Sequence, residues 1–199
     1  HGLVVAQLGA LYANAYTEWA PKKWDADKVV ELWANEQITI CMMVPTIVYR
    51  LTSVESVPAI STLRLCTSGS APLPIAIHET FEQTFGIQIV ERYGMTEVGI
   101  VLSNPYVGER RPGTVGFSLG DTQFRIVNSE DEELPDGEIG ELLISGSSVI
   151  RGYWQQPEAT ARTIQNGWLR SGDLATRDAD GYYSIVGRSK DLIISGGFN

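Results

Sequence analysis

The run Leu63-Arg64-Leu65-Cys66-Thr67-Ser68-Gly69-Ser70-Ala71-Pro72-Leu73-Pro74-Ile75-Ala76-Ile77-His78-Glu79-Thr80-Phe81-Glu82-Gln83-Thr84-Phe85-Gly86-Ile87-Gln88-Ile89-Val90 sets the architecture of the chain. Leu63 to Thr67 reads as a strand, followed by small residues and Pro72. Pro74 opens a helix whose Ile77, Phe81 and Phe85 recur every four residues, and Gly86 ends it. Ile87 to Val90 is then a second strand. Strands joined through a helix cross over right-handedly, which predicts a parallel sheet covered by helices on both faces.

The pattern extends outward in both directions. Upstream, Ile38 to Val44 is a β-rich apolar run ended by Pro45, and Ile47, Val48 and Leu51 suit a short helix after it. Asp25 stands as an N-cap before Val29, Leu32 and Trp33 at helical spacing. Downstream of Arg111-Pro112-Gly113 the period changes. Gln123 to Val127, Gly140 to Ser145 and Tyr182 to Val186 read as strands, broken by Pro135-Asp136-Gly137 and by Asp178-Ala179-Asp180-Gly181. One short helix is expected near Pro157 to Ile164. Glu130 to Glu133 suits a solvated hairpin tip. Asp178 to Gly181 lacks the further ligands of a calcium loop and suits a hairpin turn. The fold class is therefore α/β: a largely parallel lobe over residues 1–112, a smaller β-rich subdomain over 113–187, and a terminal segment over 188–199.

Composition bounds the partners. The chain has 199 residues, 43% of them hydrophobic and 20% charged, the mix of an ordinary globular protein. Its net charge of −9 argues against nucleic acid, which requires a basic patch. A small anionic ligand stays open, because backbone N–H groups and a metal ion can hold one. No apolar stretch reaches the roughly 18 residues needed for a membrane span. Cys41 and Cys66 sit inside apolar runs, with no metal or disulfide spacing, and are expected as buried free thiols. Trp33, Trp154 and Trp168 are expected to pack, with Trp168 able to stiffen the turn that presents Asp173. The sequence opens at His1-Gly2-Leu3 and stops at Gly196-Gly197-Phe198-Asn199 after an apolar run, which reads as an internal portion of a longer chain.

In an open α/β sheet, ligands collect beyond the carboxyl ends of the strands. Glu91-Arg92-Tyr93-Gly94-Met95-Thr96-Glu97 occupies such a place, with a turn expected at Gly94 where the backbone can approach a ligand. Tyr93 offers an aromatic plane for a purine. Thr96 and Glu97 offer a hydroxyl and a carboxylate suited to phosphate oxygens and Mg²⁺. Ser68-Gly69-Ser70-Ala71-Pro72 has residues small enough for backbone to lie against a base. Ser171-Gly172-Asp173 places a carboxylate on an expected tight turn, where it can accept from ribose hydroxyls. Gly187-Arg188-Ser189-Lys190-Asp191 offers a guanidinium for phosphate or ribose oxygens.

Those four segments, in that order, resemble the adenylate-forming superfamily of acyl-CoA synthetases, aryl-CoA ligases, luciferase and peptide-synthetase adenylation domains. Val44-Pro45-Thr46, Ser68 to Ala71, Glu91 to Glu97 and Pro112-Gly113-Thr114-Val115-Gly116 most resemble malonyl-CoA and methylmalonyl-CoA synthetases. The resemblance implies that Gly69, Ser70 and Ala71 line adenine and that Tyr93 stacks on it, with Glu91, Arg92 and Gly94 in the same pocket. It implies that Met95 faces the acyl group, Thr96 touches phosphate, Glu97 binds Mg²⁺, Asp173 holds ribose and Arg188 contacts ribose or phosphate. Lys190 is implied as the hinge of a mobile C-terminal domain, and His1 lies beside the acyl pocket. Arg92 either meets the distal carboxylate of a malonate-type acid or supports Glu91 and the turn.

The implied reaction joins a carboxylic acid to ATP, giving an acyl-adenylate, and then transfers the acyl group to CoA. The superfamily's phosphate loop would precede His1 and its C-terminal domain would follow Asn199. Both lie outside this sequence, so the isolated chain is expected not to turn over. Competing readings are a fatty-acid or aryl-CoA ligase, a peptide-synthetase adenylation domain, and a non-catalytic nucleotide-binding homologue.

Overall fold

The structure is a computed structural model that describes residues 7–20 and 23–189. Two compact units form: one runs to Glu91 and takes in Tyr106–Gly113, and the other comprises Arg92–Pro105 and the chain from Thr114 onward.

The first unit contains α1 (Gly9–Tyr12), α2 (Ala26–Asn35), β1 (Ile40–Met43), α3 (Pro45–Leu51), β2 (Leu65–Ser68), α4 (Ile75–Phe85) and the start of β3 (Ile89–Met95). Local chemistry accounts for each boundary. Asp25, in extended backbone, accepts the Lys28 N–H at 3.2 Å and caps α2. Pro45 opens α3, where its missing N–H costs nothing. Gly86 ends α4 in the left-handed region at φ 70°. β1 pairs with β2, and β2 with β3, both in parallel, as the strand–helix–strand reading requires. The core joins Val29, Val30 and Trp33 of α2, Val48 and Leu51 of α3, and Phe81 of α4 to Cys66 and Ile89 of the sheet. Phe81 is fully buried and lies 4.6 Å from the Phe85 ring. Burying such a side chain contributes about 1.5–3 kcal/mol.

The second unit holds the rest of β3, then β4 (Gly99–Ser103), β5 (Phe117–Ser118), β6 (Gln123–Val127), β7 (Gly140–Ser145), α5 (Pro157–Thr163), β8 (Ile164–Gln165), β9 (Trp168–Arg177) and β10 (Tyr183–Arg188). β3 from Arg92 onward pairs antiparallel with β4, which pairs with β5. A second, antiparallel sheet has the order β10-β9-β7-β6, with β8 paired to β9. The acidic run at Glu130 is a hairpin tip, where Asp131 takes φ 63° and the Asn128 N–H meets the Glu132 carbonyl at 3.0 Å. At the β9–β10 turn, Asp178 Oδ1 accepts from the N–H groups of Asp180 and Tyr182.

Both cysteines are free; Cys66 is buried and Cys41 partly so. Burial pushes the Cys41 thiol up to about 12 and raises that of Cys66 further. Trp33 packs as expected, 3% exposed. Trp154 does not. It is 86% exposed, because the loop between β7 and α5 turns its ring outward.

Candidate active site

Glu91 to Glu97 is strand before it is turn. β3 continues through Met95, and the chain reverses over Met95-Thr96-Glu97-Val98, with the Val98 N–H on the Met95 carbonyl at 3.1 Å. The expected turn at Gly94 is therefore displaced by two residues. Gly94 is required by the hairpin itself. A Cβ there would fall on the Gly99 carbonyl oxygen and lie 2.8 Å from the Ile100 Cα, at the register shift between β3 and β4. The reversal leaves Thr96 exposed and Glu97 half-buried at the tip.

Ser171-Gly172-Asp173 likewise lies inside β9 rather than on a tight turn. Arg170 pairs with Leu143 and Leu174 with Glu141, so three residues of β9 bulge opposite Leu142. Gly172 takes φ 69° there, which a residue with a Cβ adopts with strain. Glu141 steadies the bulge: its Oε1 accepts the Gly172 N–H at 3.3 Å, while its Oε2 accepts Arg170 Nη2 at 2.6 Å. Arg170 also donates to Asp131 at 2.7 Å. Neither Glu141 nor Arg170 was singled out by motif, because their link is cross-strand and leaves no local spacing.

The bulge delivers the Asp173 carboxylate to Tyr93. The Tyr93 hydroxyl donates to Asp173 Oδ2 at 2.6 Å, and Arg188 Nε meets Asp173 Oδ1 at 2.8 Å. Arg188 is placed by register, directly opposite Asp173 on β10. The Asp173 side chain is 7% exposed and that of Arg188 is 60%. The Tyr93 phenol is held well above its ordinary range, first by burial and then by its hydrogen bond and charge interaction with Asp173. Three residues drawn from three separate motifs thus form one polar cluster: an aromatic ring, a carboxylate and a cation.

At the hairpin tip, Glu97 Oε1 accepts the Tyr153 hydroxyl at 2.9 Å, and the Glu97 carbonyl accepts the Ile150 N–H at 2.9 Å. The Tyr153 N–H is anchored in turn on Thr160 Oγ1 of α5 at 2.9 Å. Tyr153 is a site neighbour that the sequence did not disclose, since 56 positions separate it from Glu97. Among the described residues no group of three or more His, Cys, Asp or Glu side chains could hold a metal. A cation at Glu97 would therefore take one protein carboxylate and complete its shell from phosphates and water, the habit of Mg²⁺.

In the first unit, Gly69 is buried while Ser70 and Ala71 are exposed. Ser70 takes φ 71°, a strained choice for a residue with a Cβ and one that clusters at ligand sites. The Ser68 hydroxyl just before them is 2% exposed and has no hydrogen-bond partner among the described residues. Glu91 is 4% exposed, and its carboxylate turns onto His78 and the Gly113 N–H. Arg92 is half-buried, and burial lowers its guanidinium below the ordinary value. Met95 is half-buried, with its sulfur 3.9 Å from the Tyr93 hydroxyl. His1 and Lys190, the latter implied by the resemblance as a hinge, lie outside the described residues.

The profile of the AMP-binding enzyme family matches residues 1–154. The chain belongs to that family. A curated relative, the sulfoacetate–CoA ligase of Cupriavidus necator, is 39% identical along 100% of this chain and 39% of its own length. The chain also superimposes on ATP-bound MatB from Rhodopseudomonas palustris with a TM-score of 0.93 and 40% identity, covering 100% of this chain and 40% of that one. A malonyl-CoA ligase bearing methylmalonyl-CoA and AMP gives a TM-score of 0.83 at 34% identity, over 100% of this chain and 44% of that one. The chain thus spans about two fifths of the length of the relatives it matches, and its α/β arrangement is that of the N-terminal domain of adenylate-forming enzymes.

Proposed function

We propose that this AMP-binding chain supplies the nucleotide and acyl sites of an acyl-CoA ligase, which activates a carboxylic acid with ATP and passes the acyl group to CoA. The observation that carries the proposal is the Tyr93–Asp173–Arg188 cluster, in a chain that matches an ATP-bound relative along its whole length. Asp173 accepts from the ribose hydroxyls, with Arg188 beside it to meet ribose or phosphate oxygen. The Tyr93 ring offers a stacking face for adenine, and Gly69, Ser70 and Ala71 offer backbone suited to a base. Glu91, Arg92 and Gly94 shape the same segment, and Thr96 donates to phosphate. Mg²⁺ fits at Glu97, where it would neutralise charge on the phosphates. Orientation of the acid against the α-phosphate is what turns binding into chemistry, since it makes the attack effectively unimolecular. Lys190 serves as the hinge of the full-length protein.

The acid we favour is short and carries a second anionic group. Two named relatives act on or bind such compounds, sulfoacetate in one case and a malonyl derivative in the other. Arg92, a half-buried cation on β3, offers the complementary charge. Met95 faces the acyl chain.

Acid-dependent exchange of pyrophosphate into ATP by the full-length protein that carries this chain tests the proposal, with malonate, sulfoacetate, octanoate and benzoate compared. Exchange driven by malonate or sulfoacetate supports the reading in full. Exchange driven only by octanoate or benzoate keeps the ligase and discards the second anionic group. No exchange with any acid defeats the ligase reading.

A further inference from the structure

His78 belongs to none of the motifs, yet it is among the most deeply placed polar groups of the first unit, 1% exposed on α4. Its Nδ1 lies 2.9 Å from Glu91 Oε1, and the Gly113 N–H donates to that same oxygen at 3.0 Å. A carboxylate oxygen already accepting an amide proton accepts here as well, so Nδ1 carries the imidazole proton. Nε2 is buried and has no hydrogen-bond partner among the described residues. The ring's polar tie is therefore directed at Glu91.

Glu91 is the residue at which β3 changes partner. It is the last to pair with β2, opposite Ser68, and Arg92 is the first to pair with β4, opposite Ser103. Arg92 and Tyr93 follow it directly, so a displacement of Glu91 is passed to them along the backbone. Gly113 also lies close to α4: it takes φ 79°, and a Cβ there would come to 3.0 Å from the Ile75 side chain. α4 thus holds the strand through His78, and the Glu91 carboxylate links it to the Gly113 N–H.

We propose that His78 is a positioning residue for the nucleotide: it holds the Glu91 carboxylate so that the segment beginning at Arg92 is presented in one fixed register. This inference rests on the nucleotide role proposed above for Tyr93. A buried polar pair is a poor source of stability, since apolar residues of similar volume often replace one without loss. Its contribution is therefore expected in binding geometry rather than in folding.

The test is initial-rate kinetics in the full-length protein, with ATP and CoA varied in turn and thermal unfolding followed in parallel. His78→Leu should raise KM for ATP by about tenfold and leave KM for CoA within about twofold, the split expected when one ligand's site is misplaced. His78→Asn, whose amide N–H falls near the position of Nδ1, should restore the ATP value to within about twofold of the parent. The double variant His78→Leu with Glu91→Met fills the site with apolar groups, and should keep the parental unfolding midpoint while retaining the raised KM. An unchanged KM for ATP in the double variant overturns the inference, as does a uniform shift of both KM values. A parental protein that shows no ATP-dependent activity defeats the nucleotide reading, and this inference with it. A parental protein that is active while His78 variants keep its ATP dependence defeats this inference alone.

Discussion

The Tyr93 hydroxyl donates to Asp173 Oδ2 at 2.6 Å across 80 positions of sequence. One contact ties the strand that follows the parallel array to the bulge of the antiparallel sheet. It also fixes the plane of the ring, because a phenol bonded at its tip cannot swing freely about its Cα–Cβ axis. Tyr93→Phe keeps the ring and removes the donor, leaving a nearly buried carboxylate one partner short. Hydrogen bonds to charged groups are worth about 1.5–3 kcal/mol, and a loss within that range is expected by chemical denaturation. A variant as stable as the parent would show that the bond is not made in solution.

Asp173→Ala removes the acceptor itself. AMP binding by calorimetry should weaken by about 1.5–3 kcal/mol, the worth of a charge-assisted hydrogen bond. Unchanged AMP affinity would take Asp173 out of the nucleotide site.

For Glu97 the expectation concerns rate more than affinity. Glu97→Gln in the full-length protein should depress adenylation, and added Mg²⁺ should recover part of the loss, because the amide is a weaker ligand for a hard cation. Tyr153→Phe, which frees Glu97 Oε1, should have the smaller effect. Adenylation at the parental rate in Glu97→Gln would exclude that carboxylate as a working ligand.

Glycine positions near the site separate into two kinds. Gly94→Ala drives a Cβ into the Gly99 carbonyl, and overpacking against rigid backbone costs about 1–3 kcal/mol or more. Gly99 has a positive φ but open space around a Cβ, so Gly99→Ala should cost only the backbone strain, about 1–2 kcal/mol. Equal unfolding midpoints for the two variants would contradict the close approach at Gly94.

The thiols give a test through pH. The Cys41 thiol is raised to about 12 in the folded chain against an ordinary value of 9.0. The folded state therefore holds the proton that the unfolded state releases, and this share of stability is complete below pH 9 and lost as pH climbs toward 12. At pH 8 a disulfide reagent should label neither Cys41 nor Cys66 in the folded chain, and both in denaturant. Rapid labelling of the folded chain would refute their burial.

Elements with a local signal were legible in the sequence. The Asp25 cap, Pro45 at the start of α3, the four-residue repeat of α4 and its Gly86 stop are each written in one short window. β6 and β7 were legible from alternation and their flanking turns. What escaped was cross-strand. Ser171-Gly172-Asp173 looks like a turn because glycine and aspartate favour turns, yet pairing with β7 makes it a bulge. The hairpin's need for a glycine at position 94 comes from Gly99, five positions on, and leaves no signal in the local window. The candidate site divides in the same way: Tyr93, Asp173 and Arg188 were recognisable as types, whereas Tyr153, Glu141 and His78 matter only through partners that folding supplies.

The main chain passes between the two units at Glu91–Arg92, at Pro105–Tyr106 and at Gly113–Thr114. The first unit is consequently not a contiguous piece of gene. Truncation at any single codon removes the Tyr106–Gly113 segment from it or leaves part of the second unit attached. A single crossover before the first passage divides only the first unit, and one after the last passage divides only the second. Recombination inside residues 92–113 would break two domains with one cut.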